Sequence, residues 1–173
     1  MIVVINGSGG VGKDTFVEFC MESPLTTFIE NMSTIEPIKS VAIMLGWNKE
    51  KTPEARKFLS DLKDLSSDFN DFPYQFVMKR LKERVQLCED FGINNFIIFI
   101  HSREPEEIAR FVKDVGAKTL LIKRNTNEVY INHADLKVEN YNYDYIIENN
   151  GGLEELKDKA IDFVYQVLKK EGI

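Results

Sequence analysis

Three observations predict an α/β fold in which a parallel sheet lies between layers of helices. Apolar runs too hydrophobic to keep one face in water recur at Ile2–Ile5, Asn95–Ile100 and Thr119–Ile122. Between them lie segments whose apolar residues repeat at helical spacing, bounded by capping residues, prolines or glycines. The first run passes through a glycine-rich loop directly into a helix-compatible segment, the order of a β–α unit.

Ile2–Ile5 is the first strand, and Thr15–Cys20, with Phe16, Val17 and Phe19, the first helix. Thr27–Glu30 is expected as the second strand, followed by an amphipathic helix over Ile35–Leu45 that Gly46 ends. Thr52 before Pro53 is a strong helix start: the hydroxyl accepts an orphaned backbone N–H, and proline needs no such bond at the first helical position. Ala55, Phe58, Leu59, Leu62 and Leu65 then form one apolar stripe. Asp71–Pro73 begins the next helix, expected to turn Phe76, Val77, Leu81, Val85 and Cys88 inward and to stop near Gly92.

Asn95–Ile100 is the clearest internal strand and should lie centrally. Pro105 opens a helix with Ile108, Phe111, Val112 and Val115 on one face and Gly116 at its end. Thr119–Ile122 and Tyr145–Glu148 are the fourth and fifth strands, and Leu153, Leu156, Ala160, Ile161, Val164 and Leu168 define a closing helix. The polar stretch Asn125–Asn142 has no clear period and is expected to act as a short lid. Successive β–α units imply helices on both sheet faces and ligands at the carboxyl ends of the strands.

A chain of 173 residues, 43% hydrophobic and 29% charged, suits a single domain over residues 1–173 with a real core. Its formal charge of −6 argues against polymeric nucleic acid as a partner, because backbone affinity comes from clustered Lys and Arg. Cys20 and Cys88 make no metal-ligand spacing and read as reduced, buried thiols. With no apolar stretch of spanning length and no signal-peptide pattern, a cytoplasmic protein without a membrane partner is expected.

The chemistry begins in the segment Gly7-Ser8-Gly9-Gly10-Val11-Gly12-Lys13-Asp14-Thr15, which has the spacing of a phosphate-binding P-loop. Glycines let consecutive backbone N–H groups turn toward one anion, the following helix adds its positive end, and Lys13 supplies an ammonium. Asp14 stands where a hydroxyl residue normally serves magnesium. Two roles are open to it: holding Mg2+, directly or through water, or placing favourable charge at a helix start. Thr15 is the other metal candidate, with helix capping as its plainer role.

Phosphoryl transfer needs mainly cations and metal ligands about the donor and acceptor oxygens. Lys13 is the first such cation. Arg103, just past the third strand, could grip a phosphate bidentately or pair with Glu106 or Glu107. Lys123 and Arg124 open the lid segment, and Arg124 is the preferred catalytic partner, with a solvated strand-end charge as the alternative. Arg56, Lys57, Lys63 and Asp64 decorate the polar side of the helix after Pro53, where charges are usually just solvated. His101 and His133 lie far apart with no cysteines nearby and are assigned no catalytic role.

With those residues in hand, the chain resembles the phage-type deoxynucleoside monophosphate kinases of the P-loop nucleotide kinase superfamily. The resemblance rests on Gly12-Lys13-Asp14-Thr15, also similar to animal-type phosphomevalonate kinases, and on Glu36-Pro37-Ile38-Lys39 followed by Ala42. It extends through Arg103–Gly116 to Asn149-Asn150-Gly151-Gly152-Leu153-Glu154-Glu155-Leu156, where the family's last loop approaches the adenine of ATP. It implies a three-layer P-loop kinase fold with a five-stranded sheet of order 2-3-1-4-5, acceptor-binding helices over about 34–91 and a lid over about 125–142. His101 and Asn150 stand where the family tends to carry aspartate.

The resulting expectation is an ATP- and Mg2+-dependent transfer of the γ-phosphoryl group to a small phosphorylated acceptor, foremost a (deoxy)nucleoside monophosphate. Gly7, Ser8, Gly9, Gly10, Val11, Gly12, Lys13, Asp14, Thr15 and Asn150 would bind ATP, Asp14 and Thr15 the metal. Lys13, Arg103 and Arg124 would act in catalysis, and Lys39, Arg56 and Arg103 on the acceptor. Tyr74, Phe76, Trp47 and Phe69 could line an acceptor pocket or serve as core. Another phosphorylated metabolite as acceptor, a non-catalytic ATP-binding module, and assembly as a homodimer stay open.

Overall fold

The structure, a computed structural model, describes residues Met1–Thr26, Phe28–Asn125, Val138 and Tyr141–Lys170. The elements run β1 (Ile2–Asn6), α1 (Lys13–Met21), β2 (Phe28–Ser33), α2 (Glu36–Met44), α3 (Pro53–Asn70) and α4 (Phe72–Asp90). They continue with β3 (Phe96–His101), α5 (Pro105–Val115), β4 (Lys118–Lys123), β5 (Tyr145–Glu148) and α6 (Leu153–Lys170). The five strands form one all-parallel sheet of order β2-β3-β1-β4-β5, as the resemblance implies. Most of the segment expected as a lid, including His133, lies outside the described residues.

Strand pairing fixes which side chains share a face. Val3 lies opposite Phe99 on β3 and Lys118 on β4, Ile5 opposite His101 and Leu120, and Leu120 opposite Tyr145. Because strand side chains alternate, Val3, Ile5, Ile97, Phe99, Leu120 and Ile122 form one face, which packs with Phe16, Val17 and Cys20 of α1 and with α6. Phe163 is the hub: its ring meets those of Phe16, Phe99 and Tyr145 at centroid distances of 5.6, 6.2 and 5.3 Å. The other face, with Val4, Ile98, Ile100 and Leu121 fully or almost fully buried, belongs to the side of α5, whose Ile108 and Phe111 are buried too. A strand covered on both sides must be apolar throughout, which is why β1 and β3 are legible as continuous hydrophobic runs.

Terminators follow local chemistry. Thr52 Oγ1 accepts the Ala55 N–H at 3.2 Å and Pro53 opens α3. Gly116, left-handed at φ 64°, closes α5 with its N–H on the Val112 carbonyl.

By packing, the described residues form two units, one from Met1–Asn31 with Cys88–Ile173 and one from Met32–Leu87. The second holds α2, α3 and most of α4, with an Arg80–Glu36 ion pair at 2.9 Å. Here the sequence expectations need correction. The α3 stripe exists as a face, but no residue of α3 is fully buried, and Phe58 and Leu65 are exposed. On α4, Tyr74, Val77, Leu81 and Cys88 are buried, whereas Phe76 is exposed and Val85 half-buried. On α6, Leu153 is exposed and Ile161 half-buried, while the inward stripe adds Phe163 and Val167. Periodicity identifies residues that share a helical face; only tertiary packing decides whether anything covers that face. The second strand is Phe28–Ser33 rather than Thr27–Glu30, with only Met32 fully buried, so its hydrophobic signal was weak. Among the described residues, no helix is long and apolar enough to cross a membrane.

Candidate phosphate-binding site

At the carboxyl end of β1 the chain leaves the sheet at Gly7 and enters α1 through Gly12. Both glycines are required by geometry. A Cβ on Gly7 would lie 2.5 Å from the Ile122 carbonyl oxygen of the adjacent strand, and Gly12 takes φ 94°, with an added Cβ 2.7 Å from Asn149 Nδ2. Between them Val11, 4% exposed, is pinned into the core and anchors the middle of the loop.

Among the described residues no side chain caps the amino end of α1, and its one first-turn acid is Asp14. The first N–H groups of a helix have no intrahelical acceptor, so this end presents backbone donors and positive dipole charge beside the loop. Lys13 Nζ folds back over the loop and donates to the Gly7 and Ser8 carbonyls at 2.6 and 2.8 Å. An ammonium held by neutral carbonyls gains more from a phosphate oxygen, since bonds between ionised partners are about twice as strong. Gly7, Ser8, Gly9, Gly10, Val11 and Gly12 thus form the connection from β1 to α1 at a strand's carboxyl end, and Lys13, Asp14 and Thr15 open the helix that follows.

Two asparagines tie the loop to its surroundings, and a third joins the strand exits beside it. Asn149, 5% exposed, donates from Nδ2 to the Val11 carbonyl at 2.9 Å, while its backbone N–H reaches the Lys123 carbonyl at 2.6 Å. Asn150 Oδ1 accepts the Asn125 N–H at 2.8 Å, joining the turn after β5 to the exit of β4. Asn6, fully buried, accepts the Gly7 N–H on Oδ1 at 2.7 Å and donates from Nδ2 to Tyr143 Oη at 2.7 Å and to the Arg103 carbonyl at 3.4 Å. Sequence reasoning placed Asn150 at the site but missed Asn6 and gave Asn149 no role of its own. The available signal was a polar residue ending an apolar strand, where burial demands partners.

Arg103 is half-buried just beyond β3, and Ser102 beside it donates to Glu107 Oε2 at 2.5 Å, engaging one of the two glutamates expected to pair with Arg103. Arg124 is exposed and, with Ser8, Val11, Lys123, Asn125 and Val138, lines a recess of about 70 Å³. Lys39 and Arg56 belong to the Met32–Leu87 unit, on α2 and α3, and both are exposed. Of the aromatics considered for an acceptor pocket, Tyr74 is buried, Trp47 half-buried, and Phe69 and Phe76 exposed. A larger hollow of about 330 Å³ lies between β5 and α6, lined by Tyr145, Glu148, Lys159, Asp162, Phe163 and Gln166 among others, away from the glycine loop.

Asp14 keeps 84% of its side chain exposed, with Oδ1 3.7 Å from His101 Nε2. Among the described residues no group of three or more His, Cys, Asp or Glu could cage a metal. Mg2+ bound with a nucleotide needs no such cage, because phosphate and water oxygens fill most of its octahedron. A single accessible carboxylate with the Thr15 hydroxyl next to it in the chain fits that donor set.

No protein-family profile matches the sequence, and no curated protein matches it. Among solved structures, the chain is similar to an unliganded sugar kinase from Janibacter sp. HTCC2649, with 15% identity over 93% of this chain and 92% of that one and a TM-score of 0.47. A likeness that slight transfers no activity.

Proposed function

We propose that this chain is an ATP-dependent phosphotransferase that moves the γ-phosphoryl group of ATP to a small phosphorylated acceptor, foremost a (deoxy)nucleoside monophosphate. One observation carries the reading: an uncapped helix start, a left-handed glycine and a lysine folded over the loop carbonyls meet at the carboxyl end of a central parallel strand. Few loops other than polyphosphate cradles need that combination.

In this reading the loop from Gly7 to Thr15 cradles the donor phosphates, and Lys13 exchanges the Gly7 and Ser8 carbonyls for phosphate oxygens. Asp14 and Thr15 hold Mg2+, which neutralises charge on the donor when bound. Arg103 orients the acceptor phosphate, and Arg124 offsets charge on the transferred group. Asn150 supports the base end of the nucleotide. These are positioning and electrostatic tasks, which suffice for a reaction whose transition state asks little covalent help.

Titration calorimetry with MgATP, followed by an acceptor screen across (deoxy)nucleoside monophosphates and other phosphorylated metabolites, tests the proposal. Lys13→Ala should retain the wild-type circular dichroism spectrum and lose about 10²-fold or more in turnover. Near-wild-type turnover in that variant would refute the role of Lys13, and well-folded wild-type protein that takes up no MgATP would refute the donor site.

A further inference from the structure

The amide of Asn6 has three partners whose chemistry permits only one arrangement. Its oxygen must face the Gly7 N–H, and its NH2 must face two oxygens, those of Tyr143 and of the Arg103 backbone. Tyr143 Oη accepts from Asn6 and donates its single proton to the Val138 carbonyl at 2.7 Å. Burial pushes the phenol's pKa up, opposed in part by the Asn6 hydrogen bond, so the group stays protonated and able to donate.

Continuing past Gly7, the carbonyl of the same glycine accepts Lys13 Nζ. Hydrogen bonds therefore lead from Lys13 to the Gly7 carbonyl and, one covalent step away across the Gly7 Cα, from the Gly7 N–H through Asn6 to Tyr143 and Val138, with the Arg103 backbone as a branch. A residue that holds both the donor loop and the backbone of the acceptor arginine sets the separation between the two phosphates, a quantity to which rate is steeply sensitive.

We infer that Asn6 is a positioning residue that fixes the donor loop against Arg103 and passes loop occupancy to Tyr143. The inference rests on the donor-site reading above. When Lys13 leaves the Gly7 carbonyl for a phosphate, the Gly7–Ser8 peptide is released to turn about the Gly7 Cα; the neighbouring Asn6–Gly7 peptide moves with it, and the Gly7 N–H bond to Asn6 and the Asn6–Tyr143 hydrogen bond change in geometry. Asn6 need touch neither nucleotide nor acceptor.

The test uses full-length protein carrying 3-fluorotyrosine at position 143 alone, with MgATP as the probe. Its fluorine resonance should move on titration with MgATP, with the midpoint given by calorimetry. Asn6→Ala removes the acceptor for Gly7 and both donated bonds; at MgATP concentrations that calorimetry shows to be saturating for the variant, the resonance should no longer respond. Tyr143→Phe breaks only the far end of the chain and guards against misfolding of the first variant. With nucleoside monophosphates it should lower kcat about tenfold or more and leave the KM for ATP unchanged, a split that simple loss of folded protein would not produce.

Calorimetric binding with an unmoved fluorine resonance, or a response that persists in Asn6→Ala, overturns the inference and leaves the donor site standing. Wild-type kcat in Tyr143→Phe does the same. No calorimetric binding to wild-type protein defeats the donor-site reading and takes this inference with it.

Discussion

Replacing Gly12 by alanine perturbs two things at once, and a second substitution separates them. The residue sits at φ 94° and ψ 23°, near the left-handed region, where a side chain costs about 1–2 kcal/mol. Its new methyl would lie 2.7 Å from Asn149 Nδ2, closer than a Cβ tolerates, so the amide must swing away from the Val11 carbonyl it holds at 2.9 Å. Val11 and Asn149 are 4% and 5% exposed, so the abandoned carbonyl gains little from water and costs a further 1–3 kcal/mol or so. Gly12→Ala should then destabilise by roughly 2–5 kcal/mol, and Asn149→Ala alone by roughly 1–3. The double variant suffers the backbone strain and the lost hydrogen bond once each, with no clash, so it should lie below the sum of the singles by the one hydrogen bond counted twice, about 1–3 kcal/mol. Urea unfolding of the four proteins, compared at matched m-values, reads this coupling. Additivity within about 0.5 kcal/mol would show that Asn149 does not hold the loop against position 12, and the clasp would have to be abandoned.

Two further outcomes follow from the core. Phe163→Ala removes the ring that three other aromatics meet and should cost about 3–5 kcal/mol, whereas Phe69→Ala, at a position 83% exposed, should change stability by no more than about 0.5; equal effects in thermal melts would mean the helical faces are misassigned. Cys20 is buried under α6, with Sγ 3.7 Å from the Ala160 carbonyl, and burial pushes its thiol pKa far above the ordinary 9.0. Below pH 9 both folded and unfolded chains keep the proton; above it the unfolded chain releases it first, so stability should fall as pH rises. Cys20→Ala should flatten that alkaline slope, though not abolish it, because Cys88 and Tyr143 are raised in the same direction. An unchanged slope in urea titrations between pH 8 and 10.5 would refute the assignment.

The order of elements was readable because each carries a local cause. Two-sided burial makes β1 and β3 uniformly apolar, and Thr52 with Pro53 opens α3. The glycine loop was the sharpest signal, since its spacing encodes backbone angles as well as side chains. Where an expectation failed, the missing information was a partner. Phe76 shares the general pattern of Val77 yet is exposed, and the α3 stripe has the right period without being buried. Phe163 escaped notice because nothing within α6 reveals that three rings from α1, β3 and β5 converge on it.

By itself, then, the sequence determined the alternation of strands and helices, the glycine-rich turn from β1 into α1, and the placement of Arg103 and Arg124 after strands. Those features depend on backbone preference and periodicity within a few residues. Tertiary structure alone decided that Asn6 and Asn149 brace the loop, that Asn150 links the exits of β4 and β5, and that His101 faces Asp14. Each of those contacts joins residues through strand order and register, and a buried amide finds its partners only when the sheet brings distant segments within hydrogen-bonding reach.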